Sequence, residues 1–377
     1  MSPRARRVRR ALLVLTLGVV AAVALTRTGR YLVRAAWEEG KILARRRSIA
    51  ALIAAPATDP ITRAKLELVL AARAYAVDSL GLAAKQSFTT YSRLDHDTLV
   101  MVLSAAYRDR LAPYTWWFPI VGRVPYKGYF AFASAQAAAR ALEREGLDTY
   151  VRPAAAFSTL GFFNDPLVSA TLDGDSASLA NTVIHELTHN TYYASGQAVF
   201  NESFANFVGS EGAIRFFTAR GDTANARRAA EQWALERAAG RFWQVTFDEL
   251  DSAFRAHPES VAARLAARDT VYARAQQRFS RDLLPLLPGY RAGMTVRLPL
   301  NNALVLARRV YRTGLGEFDA VLAREHGDLR AAVRRIIALA RSRPRDPYGA
   351  VRDWLASASG GAVAGDTLRA GGKAATQ

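Results

Sequence analysis

The chain has 377 residues, half of them hydrophobic and 22% charged, which is enough for one large domain or two ordinary ones and too apolar for wholesale disorder. Its formal charge of +18 is unevenly spread: residues 1–47 hold twelve Lys or Arg against Glu38 and Glu39, an excess of +10 that leaves +8 for the other 330 residues. No aromatic-and-basic interleaving accompanies that charge, so nucleic acid is not an expected partner, and the absence of cysteine excludes disulfides, thiolate metal sites and a cysteine nucleophile.

From the N-terminus, Arg4 to Arg10 form a basic stretch and Ala11 to Leu25 an uninterrupted apolar run. Fifteen residues make a helix of about 22 Å, short of the roughly 30 Å hydrocarbon core. That length suits a signal-peptide core, and Ala22-Val23-Ala24 has the form of a cleavage site. Snorkelling by Arg10 and Arg27 would instead make it an uncleaved anchor. Under either reading the arginines stay in the cytoplasm and the chain after about residue 27 lies outside, in the cell envelope. The expected place is the inner membrane facing the periplasm, or the periplasm itself if the segment is removed.

Residues 28–340 read as one folded domain of a predominantly helical α+β protein. Gly29 to about Ile53 is a charged amphipathic helix, and Thr58-Asp59-Pro60 breaks it and starts another that runs to about Leu80. Residues 86–107 suggest two strands, 113–130 a packed loop, 134–145 a helix, and 149–152 a strand. Extended structure around an Asn164-Asp165-Pro166 turn follows, so a small β-sheet precedes the helical part. Helices are then expected at about 177–194, 201–219, 222–239, 247–256, 259–283 and 301–340, and 341–377 as a flexible tail.

The chemistry is concentrated in Val183-Ile-His-Glu-Leu-Thr-His189. Residues four apart on a helix differ by about 40° around its axis, so His185 and His189 address one point in space. Two neutral imidazoles suit Zn²⁺, which lowers the pKa of a bound water towards about 7. Glu186 is then placed to take that water's proton. Leu179, Ala180, Val183, Ile184 and Leu187 bury the helix, Asp175 or Ser176 caps its start, and Gly196 can end it.

A catalytic zinc needs a third protein ligand and one open position. His96, His257 and His326 stand in polar contexts and read as solvated. Glu202 is the better ligand. Asn201 can cap a second helix with Glu202 in its first turn, and the twelve residues between His189 and Glu202 allow a return to the metal.

His185-Glu-Leu-Thr-His-Asn followed by Asn201-Glu-Ser-Phe-Ala is similar to the HELAHQ…NEGFA pair of gluzincin aminopeptidases, though the two elements lie closer together here. The pattern more closely resembles the bacterial predicted-aminopeptidase family, as do Pro125-Tyr-Lys-Gly-Tyr-Phe and Ser158-Thr-Leu-Gly-Phe-Phe-Asn-Asp-Pro-Leu, over roughly residues 28–340. The resemblance implies a gluzincin-like core, Glu202 as third zinc ligand, and an exported peptidase. Many relatives carry a lipobox cysteine after the apolar run; this chain has none, so lipid anchoring through one is not expected.

Supporting residues are also suggested. Asn206, one turn after Glu202, can orient a ligand histidine or simply be solvated. Gluzincins supply a Tyr or His to the oxyanion, and Tyr311, on a downstream helix, is a candidate, with Tyr192 and Tyr193 as rivals. Asp165 can bind a substrate α-amine or serve only its turn. The expected function is zinc-dependent peptide hydrolysis outside the cytoplasm by an aminopeptidase, with an endopeptidase or other amide hydrolase as alternatives. A non-catalytic envelope scaffold with structural zinc is the reading from another class.

Overall fold

The structure is a computed structural model that describes residues 26–94, 100–118, 122–154 and 166–357, together with Arg10, Val14 and Gly18. The apolar N-terminal run, His96 and Asp165 thus lie wholly or largely outside the described residues. Among the described residues no helix is long and apolar enough to cross a membrane.

In chain order the first half contains α1 (Arg27–Ala44), β1 (Arg47–Ser48), α2 (Ile49–Ala54), α3 (Pro60–Asp78), β2 (Thr90–Ser92) and β3 (Val100–Tyr107). It continues through β4 (Trp116–Phe118), β5 (Gly122–Val124), β6 (Tyr126–Tyr129), α4 (Phe132–Arg144), β7 (Leu147–Ala154), β8 (Leu167–Val168) and α5 (Ser169–Leu172). The second half is helical: α6 (Ser176–Thr191), α7 (Ala198–Ala219), α8 (Thr223–Arg255), α9 (Val261–Arg278), α10 (Asn302–Arg309), α11 (Leu315–Arg324), α12 (Leu329–Ser342) and α13 (Pro347–Ser357).

The expected sheet ahead of α6 is present as an antiparallel β6-β3-β7 sheet. Beside it stand a second small sheet, β1-β2-β8, and the hairpin β4-β5, which occupies part of the expected loop. In the larger sheet, Ser104 is opposite Tyr126 on one side and Tyr150 on the other, and Val102 is likewise opposite Gly128 and Arg152. Because side chains alternate, Tyr126, Tyr150 and Arg152 share one face. The other face carries Leu103 and Ala105, which pack on Ala139 and Leu142 of α4.

Two helical cores complete the molecule. One joins α3, α6, α7, α11 and α12, with Phe200, Phe204 and Phe207 of α7 each 5.6–5.8 Å from the Phe318 ring. Such ring pairs contribute about 0.5–1.5 kcal/mol each beyond the area they bury. The other gathers Phe242, Trp243, Leu250 and Phe254 of α8 with α9 and α10. Helix α8 belongs to both, since Ala229 and Trp233 enter the first core.

Four expectations need correction. The amphipathic N-terminal helix is broken by β1, because Ser48 caps α2 through the Ala51 N–H. The helices expected at 222–239 and 247–256 are one helix. Gly240 lies inside it, where it lets the Arg312 carbonyl come within 3.2 Å of where a Cβ would stand. The single helix expected at 301–340 is three, with the chain turning at Gly314 (φ +66°) and at His326-Gly327 (φ +54° and +80°). Finally, 341–357 is no loose tail: α13 packs Val351, fully buried, into the first core, while 358–377 lie outside the described residues.

Candidate metal centre

Helix α6 starts where Asp175 accepts from the Ser178 N–H at 2.8 Å, and its apolar face is buried through Leu179, Ala180, Val183, Ile184 and Leu187. The opposite face carries His185, Glu186 and His189. The helix ends at Thr191, earlier than Gly196, which sits in the following turn at φ +74°.

Helix α7 crosses α6 very closely at Gly209. A Cβ there would stand 2.9 Å from the Asn181 carbonyl oxygen and 3.1 Å from His185 Cβ. This close approach brings Glu202 to the two histidines. The helix begins at Ala198, so Asn201 lies inside it and is not its cap. Its buried side chain closes the α6–α7 turn instead, accepting from the Ala194 N–H and donating to the Ala194 carbonyl, both at 2.8 Å.

The resulting cluster is a compact triangle. His185 Nε2 and His189 Nε2 are 3.2 Å apart, and Glu202 Oε2 is 3.5 and 3.6 Å from them. A tetrahedral ion with ligands at about 2.0–2.1 Å spaces those ligands about 3.3–3.4 Å apart. The donor set therefore fits a divalent metal. It is the one such group of three among the described residues. Burial by itself would raise the Glu202 carboxyl, but hydrogen bonds and charge from both histidines hold it well below its usual range. Burial would lower His189, and Glu202 and Glu186 outweigh it and raise the imidazole. Glu186 thus acts electrostatically on the cluster without joining it. His257 and His326 are exposed, as expected.

Tyr311 is at this site, though in the turn after α10 and not on the helix. Its ring is 6.4 Å from that of His185. Burial first, and the Glu202 charge second, push its phenol up to about 12. Ser203 and Asn206 hold that turn from α7. Ser203 Oγ donates to the Val310 carbonyl and accepts from the Thr313 N–H, and Asn206 Nδ2 donates to the Tyr311 carbonyl at 2.9 Å. Asn206 therefore orients the tyrosine's backbone, not a ligand imidazole. Tyr348 of α13 braces the turn by donating to the Thr313 carbonyl at 2.8 Å. Of the rival tyrosines, Tyr193 lies 6.2 Å from the His189 ring, whereas Tyr192 packs on the first core under Arg341.

The model of the family described as Putative aminopeptidase matches residues 30–347. The chain belongs to that family. The match takes in both ligand helices, the β6-β3-β7 sheet and the Tyr311 turn, and membership supports peptidase-like hydrolysis. No curated protein and no solved structure matches significantly.

Two residues of the family member's site escape a reading of its sequence. Tyr126 on β6 and Arg152 on β7 reach the cluster from the sheet. Tyr126 feels the charges of Glu202 and Arg152, and the Arg152 guanidinium carbon is 5.9 Å from the Tyr311 ring centre. The available signal was strand alternation, which puts Tyr150 and Arg152 on one face. Only the pairing through β3 adds Tyr126 to that face.

Proposed function

We propose that this protein is a gluzincin-like zinc metallopeptidase that hydrolyses peptide bonds outside the cytoplasm, as an aminopeptidase. The observation that carries the proposal is the triangle of His185, His189 and Glu202, with Glu186 on the same helix face and Tyr311 opposite. Three protein ligands among the described residues, rather than four, are the pattern of a catalytic zinc and speak against the scaffold reading.

When bound, the ion supplies Lewis acidity and lowers the pKa of a water it holds. His185, His189 and Glu202 hold it. Glu186 accepts a proton from the attacking water and returns it to the leaving amine. Tyr311, whose phenol stays protonated at neutral pH, donates a hydrogen bond to the oxyanion. A peptide bond is the substrate, and the basic-then-apolar N-terminus supports export to, or anchoring in, the cell envelope.

One observation favours endopeptidase or other amide hydrolysis. The described sheet wall brings Arg152 to the cluster, whereas a free α-amine calls for an acid. Asp165, proposed for that role, is the discriminating residue.

The test is the purified full chain, assayed for bound metal and for cleavage of free-amine and N-blocked peptides. One zinc per chain is expected, with Glu186→Gln retaining metal and losing activity. Equal cleavage by wild type and Glu186→Gln refutes the assignment. Preference for N-blocked peptides, or indifference to Asp165→Asn, selects the second reading.

A further inference from the structure

The arginines around the sheet fall into two groups. Arg268 and Arg108 share Asp148, at 3.1 and 3.3 Å, and Arg312 meets Glu236 at 2.8 Å. Arg152 and Arg308 make no ion pair among the described residues, although both are half-buried. Arg308 lies over the Tyr150 ring at 5.5 Å, on the sheet face that Arg152 shares, and the two guanidiniums are close enough to repel. Glu236 acts on Arg308 only from a distance, since its carboxylate is paired with Arg312. Two half-buried cations beside this cluster without a direct carboxylate partner are costly, because each loses hydration without a close opposite charge.

From this charge arrangement we infer that the site takes peptides carrying a carboxylate within about two residues of the scissile bond, and that Arg152 anchors it. Two distances set an outer limit for the anchor: the Tyr311 ring is 6.4 Å from the His185 ring, and Arg152 is 5.9 Å from the Tyr311 ring. Residues in an extended peptide advance about 3.3–3.6 Å each, so a group within about two residues of the reacting carbonyl falls inside that limit. The planar guanidinium matches a carboxylate with two parallel hydrogen bonds, and Arg308 behind it adds positive field. The carboxylate can be the C-terminus of a short peptide or an acidic side chain. The inference rests on the peptidase reading for its substrate class and goes beyond it in naming what the cationic wall recognises.

The test is binding, read separately from turnover. Metal-loaded, full-length Glu186→Gln protein is titrated calorimetrically with Ala-Ala-Ala, with its C-terminal amide, and with Ala-Ala-Glu amide. The free acid is expected to bind about tenfold or more tightly than Ala-Ala-Ala amide, as for a charge-assisted pair. Recovery of affinity by Ala-Ala-Glu amide identifies a side-chain carboxylate as sufficient; no recovery identifies the C-terminus. In an Arg152→Met background the advantage of the free acid over the amide should vanish. Arg152→Lys, which keeps the charge and loses the fork, should retain part of it and guards against misfolding of the Met variant. Equal binding of acid and amide, or no binding of any probe, overturns the inference. So does equal weakening of both by Arg152→Met, which would assign the arginine to the oxyanion or to the fold. The peptidase reading fails separately, if wild type cleaves none of these peptides while the binding preference persists.

Discussion

The side-chain amide of Asn206 donates to the backbone carbonyl of Tyr311 at 2.9 Å, tying the helix that carries Glu202 to the turn that carries the tyrosine. One stretch of α7 thus does three things. Asn201 closes the turn behind it, Glu202 meets the histidines, and Ser203 with Asn206 fixes the turn ahead. Replacing Asn206 by Leu leaves the Tyr311 carbonyl without its donor, at a cost of about 1–3 kcal/mol. The expected outcome is a kcat reduced roughly tenfold, with zinc stoichiometry and KM little changed. Steady-state kinetics beside metal analysis checks it, and loss of zinc would show that Asn206 supports the ligands instead.

Tyr311→Phe is expected to lower kcat by about 10²–10³, the usual loss of one oxyanion donor. Because the phenol is pushed up to about 12, it remains a donor across the working range. Ultraviolet titration of wild type minus variant should therefore show no tyrosinate signal until well above pH 10. A transition near the ordinary value of 10.0 would remove the burial argument.

Gly209 is the close-contact point of α6 and α7. In Gly209→Ala the new methyl meets the Asn181 carbonyl and His185 Cβ, so the helices must part. A loss of about 1–3 kcal/mol in stability and weaker zinc binding should appear together. Chemical denaturation of metal-free protein and a competitive chelator titration measure the two. Unchanged zinc affinity would mean that the histidines do not depend on this packing.

Without metal, the ligands stabilise one another as a carboxylate and a protonated imidazole. Glu202 is held below its ordinary 4.5, so its contribution is complete above that pH and lost as pH falls through the folded value. His189 is held above its ordinary 6.5, so its contribution is complete below that pH and lost as pH rises through the folded value. Chelator-treated wild type should therefore exceed Glu202→Gln in Tm most between pH 4.5 and 6.5. Zinc should reverse the alkaline fall, because metal competes with protons for these ligands. A Tm difference that is flat with pH would contradict the coupling.

What the sequence disclosed follows the range over which each interaction acts. His185 and His189 belong to one helical turn, so local periodicity suffices to bring them together. Glu202 needs only the short return closed by Asn201. Arg152 and Tyr126 depend on β3 pairing with strands on both sides, a long-range register that neither local pattern contains. The same limit explains the misplaced helix ends. Apolar spacing runs on through Gly314 and His326-Gly327 although the backbone turns there, and the helix continues through Gly240, which packs against the distant Arg312 carbonyl. In α13, Val351 is a short apolar signal whose burial depends on partners far upstream.

Helix α8 gives the site a fixed gauge. It runs unbroken and without proline from Thr223 to Arg255, and its two ends are rooted in different cores, one behind the histidine helix and one against Tyr150 of the sheet. Changing the spacing between those cores would mean bending one continuous rod, so the register between the histidine helix and the sheet is set by a single element.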